Sequence, residues 1–358
     1  MKRLIGMKVL FAVMVGFSLP LVSFGVEVKS ASIAVTLDET AGGRVTRLVS
    51  AKGVDFALHG PKPPPLYKVL LRRTDDVAKC VAVGPDDAAN CAVEKLADGV
   101  RLVYSGFKAD CPLRRVACRV TAPTGDRRLR WRLAVEPAEG WAAASANFPQ
   151  LKLASRIGAA SEDDRLVTGA SGSSGAMRAP GDGKTPHWYR HARQPGYLAV
   201  PLFLYYDPTA LLYTACEDGR GEVKSYTAYN MNPGGGIFCF WQRHFWSAGP
   251  DEQPYDVTMA ALDAKPNDPL TWEDGCDLYR EWSDRQSWSR AKFVDRADIP
   301  TSCADASPTS TSARAGADST RPTARRSRSG RRTAGRCAFR ERRASCTSTP
   351  GSATAPTS

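Results

Sequence analysis

Between residues 26 and 263 apolar and polar residues alternate in short runs broken by turn residues, and that period of two leaves few folds open. The stretch "SIAVTLDETAGGRVTRLVSAKGVDFAL" alternates, turns at Gly42-Gly43, alternates again and turns at Lys52-Gly53. In "AVEKLADGVRLVYSGF", Asp98-Gly99 sits between two alternating runs, a strong short-range hairpin signal. "RVACRVTAP" and "RRLRWRLAV" follow, with Val, Ala and Leu on one side and Arg on the other, as in antiparallel sheets with one wet face. The stretch 158–196 loses the period and reads as a long Gly, Ser and Pro-rich loop. Strands then resume as "YLAVPLFLYY", "ALLYTACED", "GEVKSYTAYN", "GIFCFWQRHFW" and "YDVTMAALD". The first and fourth are apolar nearly throughout, which predicts central strands packed on both sides. Many short strands with turns between them predict a mainly β chain, a large antiparallel β-sandwich over 26–263.

The two ends follow other rules. Lys2, Arg3 and Lys8, the apolar run Val9–Val22, and Ser23-Phe24-Gly25 together predict a signal peptide over 1–25, cleaved after Gly25. That implies a secreted or periplasmic protein with no membrane span in the mature chain. Residues 264–301 read as a helical connector. Thr271 with Asp274 resembles a capping box, and Trp272, Cys276, Tyr279, Trp282 and Gln286 recur at steps of three and four over 271–290. From 302 to 358 the chain uses almost only Ala, Ser, Thr, Arg, Pro and Gly, with Phe339 as its one large apolar residue, and this predicts a disordered tail. Eleven arginines without a lysine fit out-of-frame translation of GC-rich DNA; a genuine basic tail is the alternative.

Charge excludes one class of partner. Of the formal +12, the tail carries +8 and the first 25 residues carry +3, leaving +1 for 26–301. The folded part has no net positive field, so nucleic acid is not an expected partner; a tail-mediated polyanion binder remains the third reading. Seven cysteines (Cys80, Cys91, Cys111, Cys118, Cys216, Cys239 and Cys276) fall in 26–301 without metal-site spacing. They read mostly as buried apolar residues, with Cys111–Cys118 the first pair to consider for a disulfide.

A family resemblance rests on the strand ending in Tyr205-Tyr206-Asp207, then Leu212-Tyr213 leading to Glu217-Asp218-Gly219, then Lys224. Tyr279-Arg280-Glu281-Trp282, Trp288, Arg296 and Ile299-Pro300 continue it, and "GGRVTRLVSAKGVDF" is similar to the first hairpin of galactose-mutarotase-like sandwiches. The chain resembles, over roughly 26–300, the N-terminal part of secreted bacterial glycoside-hydrolase-like proteins, in which such a sandwich precedes a (β/α)8 barrel. The resemblance implies that the catalytic residues would lie on a barrel beyond residue 300, where this sequence has its altered tail. No catalytic residue is therefore assigned, and the expected role is structural support with a contribution to substrate binding. A stand-alone carbohydrate-binding module is the second reading.

Three stretches carry candidate chemistry. In "HWYRHARQ", His187, Trp188, Tyr189 and His191 combine ring faces that stack on sugars with polar groups that bind hydroxyls, on what reads as a loop. His187 and His191 would suit two metal ligands on a helical turn, but no Glu accompanies them, and packing is the alternative. In "EDGRGEVK", Glu217, Asp218 and Lys224 suit sugar hydroxyls or a calcium ion, or simply a tight turn. In "FCFWQRHFW", Trp241 and Arg243 share one strand face with Cys239, opposite Phe238, Phe240 and Gln242, and either reach toward a substrate or pack between sheets. A carbohydrate is the expected partner; no cofactor or resident metal is expected, with calcium the one ion the carboxylates would suit.

Overall fold

The computed structural model describes residues 25–58, 63–158, 163–170, 177–178, 188–194, 198–230, 236–244 and 250–289. All of the expected signal peptide except Gly25, and the whole arginine-rich tail, lie outside these residues. Among the described residues nineteen strands and one α-helix follow one another. They are β1 (Gly25–Lys29), β2 (Ile33–Asp38), β3 (Arg44–Ser50), β4 (Lys68–Arg73) and β5 (Cys80–Val83), then β6 (Ala88–Leu96), β7 (Gly99–Phe107), β8 (Leu113–Thr121), β9 (Leu129–Pro137) and β10 (Trp141–Leu153). Next come β11 (Arg165–Ala170), β12 (Met177–Arg178), β13 (Trp188–Gln194), β14 (Leu198–Tyr206) and β15 (Ala210–Glu217). The last are β16 (Lys224–Asn230), β17 (Ile237–His244), β18 (Asp251–Glu252), β19 (Asp256–Asp263) and α1 (Trp272–Ser283).

Two large antiparallel sheets face each other. One has six strands in the order β13-β16-β17-β10-β4-β5; the other runs β12-β11-β14-β15-β19-β9-β8-β7-β6, with β18 pairing β9. A three-stranded sheet, β1-β2-β3, adds Val28, Val35, Leu37 and Leu48 to the shared core. Aromatic rings join the layers. Phe203 of β14 stacks on Tyr226 of β16 at 4.1 Å, and Tyr226 meets Trp241 of β17 edge-on at 4.9 Å. Offset and edge-to-face pairs of this kind suit the ring quadrupole and favour one packing of the two sheets.

The alternation read from the sequence is the alternation of burial. β9 runs buried and half-buried in turn along its length, and Val116, Cys118 and Val120 of β8 point into the core while Arg115 and Arg119 do not. The first hairpin of this meander forms one residue away from the expectation. Leu96 pairs with Gly99, so Ala97 and Asp98 make the turn and Gly99 opens β7. Gly99 is needed for a different reason: a Cβ there would collide with the Val120 carbonyl of β8.

The nearly all-apolar β14 is buried on both faces as expected, and the helix is the cause. Phe203 and Tyr205 face the inter-sheet core, whereas Leu202, Leu204 and Tyr206 join Leu211, Tyr213 and Leu278 in a second cluster beneath α1. β17 departs from the same expectation. Cys239 and Trp241 are buried, while Phe238 and Phe240 on its other face are only half-buried, because no helix covers that side of the six-stranded sheet among the described residues.

Helix α1 starts where the capping chemistry puts it. The Asp274 carboxylate accepts the Thr271 backbone N–H at 2.8 Å and its hydroxyl at 3.2 Å. Its buried line is Gly275, Leu278 and Trp282; Cys276 and Tyr279 are half-buried, and Trp272 is 44% exposed. The expected face is thus turned toward Leu278. Gly275 explains the turn, since a Cβ there would stand 2.5 Å from the Leu204 side chain, so the helix approaches β14 on its glycine. Arg128, 2% exposed, then locks the helix in place. Its guanidinium donates to the Glu281 carboxylate at 2.7 Å and the Leu278 carbonyl at 3.2 Å, and lies 3.1 Å from Glu217 of β15.

All seven cysteines of the described region are free. The Cys111–Cys118 pairing does not form because Cys118 lies well inside β8 while Cys111 precedes that strand. At about 3.3 Å per residue along an extended strand, their Cα atoms stand well beyond the ~7 Å limit for a disulfide.

Candidate functional site

The acidic turn between β15 and β16 is closed on itself. Asp218 accepts backbone N–H groups from Arg220 at 2.8 Å and Glu222 at 2.6 Å, and the Lys224 ammonium at 2.5 Å. The Lys224 side chain is fully buried. It also donates to the Glu222 carbonyl at 2.6 Å and lies over the Tyr255 ring, 5.0 Å from its centroid. Such a pair is tolerable in a core only because nearly every donor and acceptor is matched. Glu217 is held by Arg128; burial pushes its carboxyl upward and Arg128 pulls it part of the way back. Of the readings open at this motif, the tight turn is the one these contacts describe. The calcium or sugar contact expected of Glu217, Asp218 and Lys224 would have to compete with these internal pairs, Asp218 with Lys224 and Glu217 with Arg128.

Trp241 and Arg243 are likewise committed. The Trp241 indole N–H donates to the Thr214 hydroxyl of β15 at 3.0 Å, a hydrogen bond from one sheet to the other. Arg243, 8% exposed, holds Asp251 through bonds of 2.8 and 3.1 Å. Packing between sheets describes both residues.

His187 lies outside the described residues. Trp188, Tyr189 and His191 belong to a strand, β13, in place of the expected loop, and the segment 158–196 also contributes β11 and β12. β13 pairs with β16 so that Tyr189 stands opposite Tyr229 and His191 opposite Thr227. Beside this edge the outer face of the six-stranded sheet carries an aromatic row that sequence reasoning does not single out as a site. The Tyr229 ring meets Phe238 at 5.1 Å, Phe238 lies 5.6 Å from Phe240, and all three are half-buried. Their alternation with Cys239 and Trp241 is the signal that could have found them.

Another group escapes sequence reasoning as well. Asp163, Asp164 and Asp207 each place a carboxylate oxygen within 4.8 Å of the others. Asp164 is fully buried and pushed up to about 6, first by burial and then by the charges of Asp207 and Asp163, against the pull of the Ile157 N–H. Sequence reasoning leaves these aspartates inside the aperiodic stretch 158–196, and only the pairing of β11 with β14 brings Asp164 to Asp207.

On the far side of the ten-stranded sheet, Arg101, Arg115, Arg119 and Arg132 line a shallow concave surface with Glu252. Asp256 holds Arg132 at 2.8 Å, and Glu252 lies 3.8 Å from Arg119. Acids therefore offset much of this basic row, consistent with the small net charge of 26–301. No helix among the described residues is long and apolar enough to cross a membrane.

No protein-family model and no curated protein matches the sequence. Solved structures do share the fold. The α-N-acetylgalactosaminidase NagBb from Bifidobacterium bifidum, in its GalNAc complex, superposes with a TM-score of 0.50 and 14% identity. The alignment covers 72% of this chain and 39% of NagBb, so the chain spans about two fifths of that enzyme. A galactose mutarotase related enzyme from Lactobacillus acidophilus aligns over 100% of its own length and 69% of this chain, with a TM-score of 0.43 and 11% identity. At 14% identity the likeness to NagBb is one of fold.

Proposed function

We propose that this chain is the exported, non-catalytic sandwich portion of a carbohydrate-active, glycoside-hydrolase-like protein. In this reading it supports a catalytic partner domain and presents a sugar-contacting face. The observation that carries the proposal is the half-buried row of Tyr229, Phe238 and Phe240 on a sandwich whose fold recurs within a glycosidase. Partly accessible ring faces in a row on a rigid sheet can stack on the apolar faces of pyranose rings, and β13, with Trp188, Tyr189 and His191, is the neighbouring edge strand. Glu217 and Asp218 support the non-catalytic part, being bound to Arg128 and Lys224 rather than available as an acid and base. The signal-peptide pattern read from the sequence over 1–25 supports export. A stand-alone carbohydrate-binding module rests on the same aromatic row and differs in needing no partner domain.

A glycan array probed with the full chain tests the contact. Binding to at least one glycan is expected, weakened by Phe238→Ala and Tyr189→Ala in variants that keep the wild-type circular dichroism spectrum. Each ring should cost more than about 1 kcal/mol, roughly fivefold in affinity. An array on which the wild-type chain retains no glycan removes the sugar-contacting face.

A further inference from the structure

We propose that Asp163, Asp164 and Asp207 form a calcium site where the start of β11 meets the end of β14. Backbone register puts the last two on one face. Leu166 pairs with Tyr205 in the β11–β14 ladder, so Asp164, two residues before Leu166, and Asp207, two residues after Tyr205, share the inward-facing side with both. Asp163 joins them from the adjoining loop. The mutual spacing of the three oxygens, within 4.8 Å, matches one shared ion. Calcium–oxygen bonds of about 2.4 Å allow two ligands on opposite sides to stand about that far apart.

The acids alone would not make a site, and the unmatched atoms around them are the independent observation. Tyr205 is fully buried and its hydroxyl has no hydrogen-bond partner; Asp164 and Asp207 are the charged groups that act on it. The Asp164 Oδ2 and Asp163 Oδ1 atoms are also buried without a partner. By contrast, the other halves of the cluster are satisfied. Asp164 Oδ1 accepts the Ile157 N–H at 2.8 Å, and Asp207 Oδ1 accepts the N–H groups of Thr209 at 2.8 Å and Ala210 at 2.7 Å. The fold thus orients Asp164 through one oxygen, whereas Asp207 is held at Oδ1 and also by the Thr209 hydroxyl, which reaches Oδ2 at 3.0 Å. Asp207 Oδ2 faces Gly158, where a Cβ would stand only 3.3 Å away. Unmatched buried oxygens carry a desolvation cost that a cation would offset, and hard oxygen donors in irregular geometry suit calcium better than magnesium.

The test uses the full chain, stripped of metal with a chelator and dialysed. Terbium luminescence excited through tyrosine should appear with one-site stoichiometry, since the Tyr205 ring adjoins the site, and calcium should displace it. Calcium should also raise the melting temperature of the stripped protein. Asp163→Asn, at a half-buried position the fold tolerates, should weaken the terbium signal at least tenfold, and Asp164→Asn should abolish the calcium-dependent shift. Glu222→Gln, in the closed acidic turn, should leave both responses unchanged. No calcium-dependent shift in the wild-type chain, or equal terbium binding by wild type and Asp163→Asn, would overturn the site. An equal shift with magnesium would overturn its assignment to calcium.

Discussion

Two acidic corners of the sandwich are built in opposite ways. At Glu217–Lys224 each carboxylate has a buried cation beside it, Lys224 for Asp218 and Arg128 for Glu217, although Glu217 Oε1, 3.1 Å from Arg128, makes no hydrogen bond; at Asp163, Asp164 and Asp207 three carboxylates converge and leave Asp163 Oδ1 and Asp164 Oδ2 buried without a partner. The matched corner has a chemical character in the sequence and a structural one in the fold. The unmatched corner lies partly in the stretch that the sequence leaves as a loop, yet it is the better candidate for a ligand. Carboxylate content does not separate the two; the presence of a buried counter-charge does. A buried carboxylate with its cation in place is finished, whereas one without it is held for something the chain does not supply.

The largest effect expected from breaking this contrast lies at the closed corner. Lys224→Met leaves Asp218, buried with 8% exposure, without its ammonium partner, and should cost about 3–5 kcal/mol in denaturant unfolding. A loss under about 1 kcal/mol would show that the corner is not held by its charges. The calcium response proposed for the open corner comes next in size. The smallest effect belongs to a matched acid at the rim. Burial works against ionisation of Asp126, yet hydrogen bonds from Arg130 at 2.7 Å and the Arg128 N–H at 3.1 Å hold its carboxyl below the ordinary value of 3.8. A depressed folded value means stability that is present above 3.8 and lost as pH falls through the folded value. Because Arg130 is 36% exposed, Asp126→Asn should cost no more than about 1 kcal/mol at neutral pH. The gap between variant and wild type should close on acidification below 3.8; a gap that persists there would assign the loss to something other than charge.

The contrast also marks what could be read in advance. Period-two alternation is local, so the strands of 26–153 and 198–263, the antiparallel sheets and the helix after Thr271 were legible residue by residue. The rotation of α1 was not, since Gly275 carries no apolar signal and matters only through Leu204 across the interface. β13 was hidden because "HWYRHARQ" does not alternate apolar with polar, and its pairing with β16 supplies the order. The site residues failed for a related reason. Asp218 and Lys224 are six apart in sequence, and their mutual neutralisation depends on a turn geometry that composition does not encode. Asp164 and Asp207 are distant in the chain, and only strand register joins them. Alternation did place Phe238 and Phe240 on one face; what it could not show was that nothing described covers that face.

Sugar hydrolysis is the most direct test of the function proposed here. Glycosidases need two carboxyl groups flanking the scissile bond, about 5–5.5 Å apart in retaining enzymes and about 6.5–9.5 Å in inverting ones. Glu217 and Asp218 are each bound to an internal cation. The full chain, purified with calcium present and offered a panel of aryl α- and β-glycosides including N-acetylgalactosaminides, is expected to release no aryl alcohol above buffer. Release that scales with protein concentration would contradict the account.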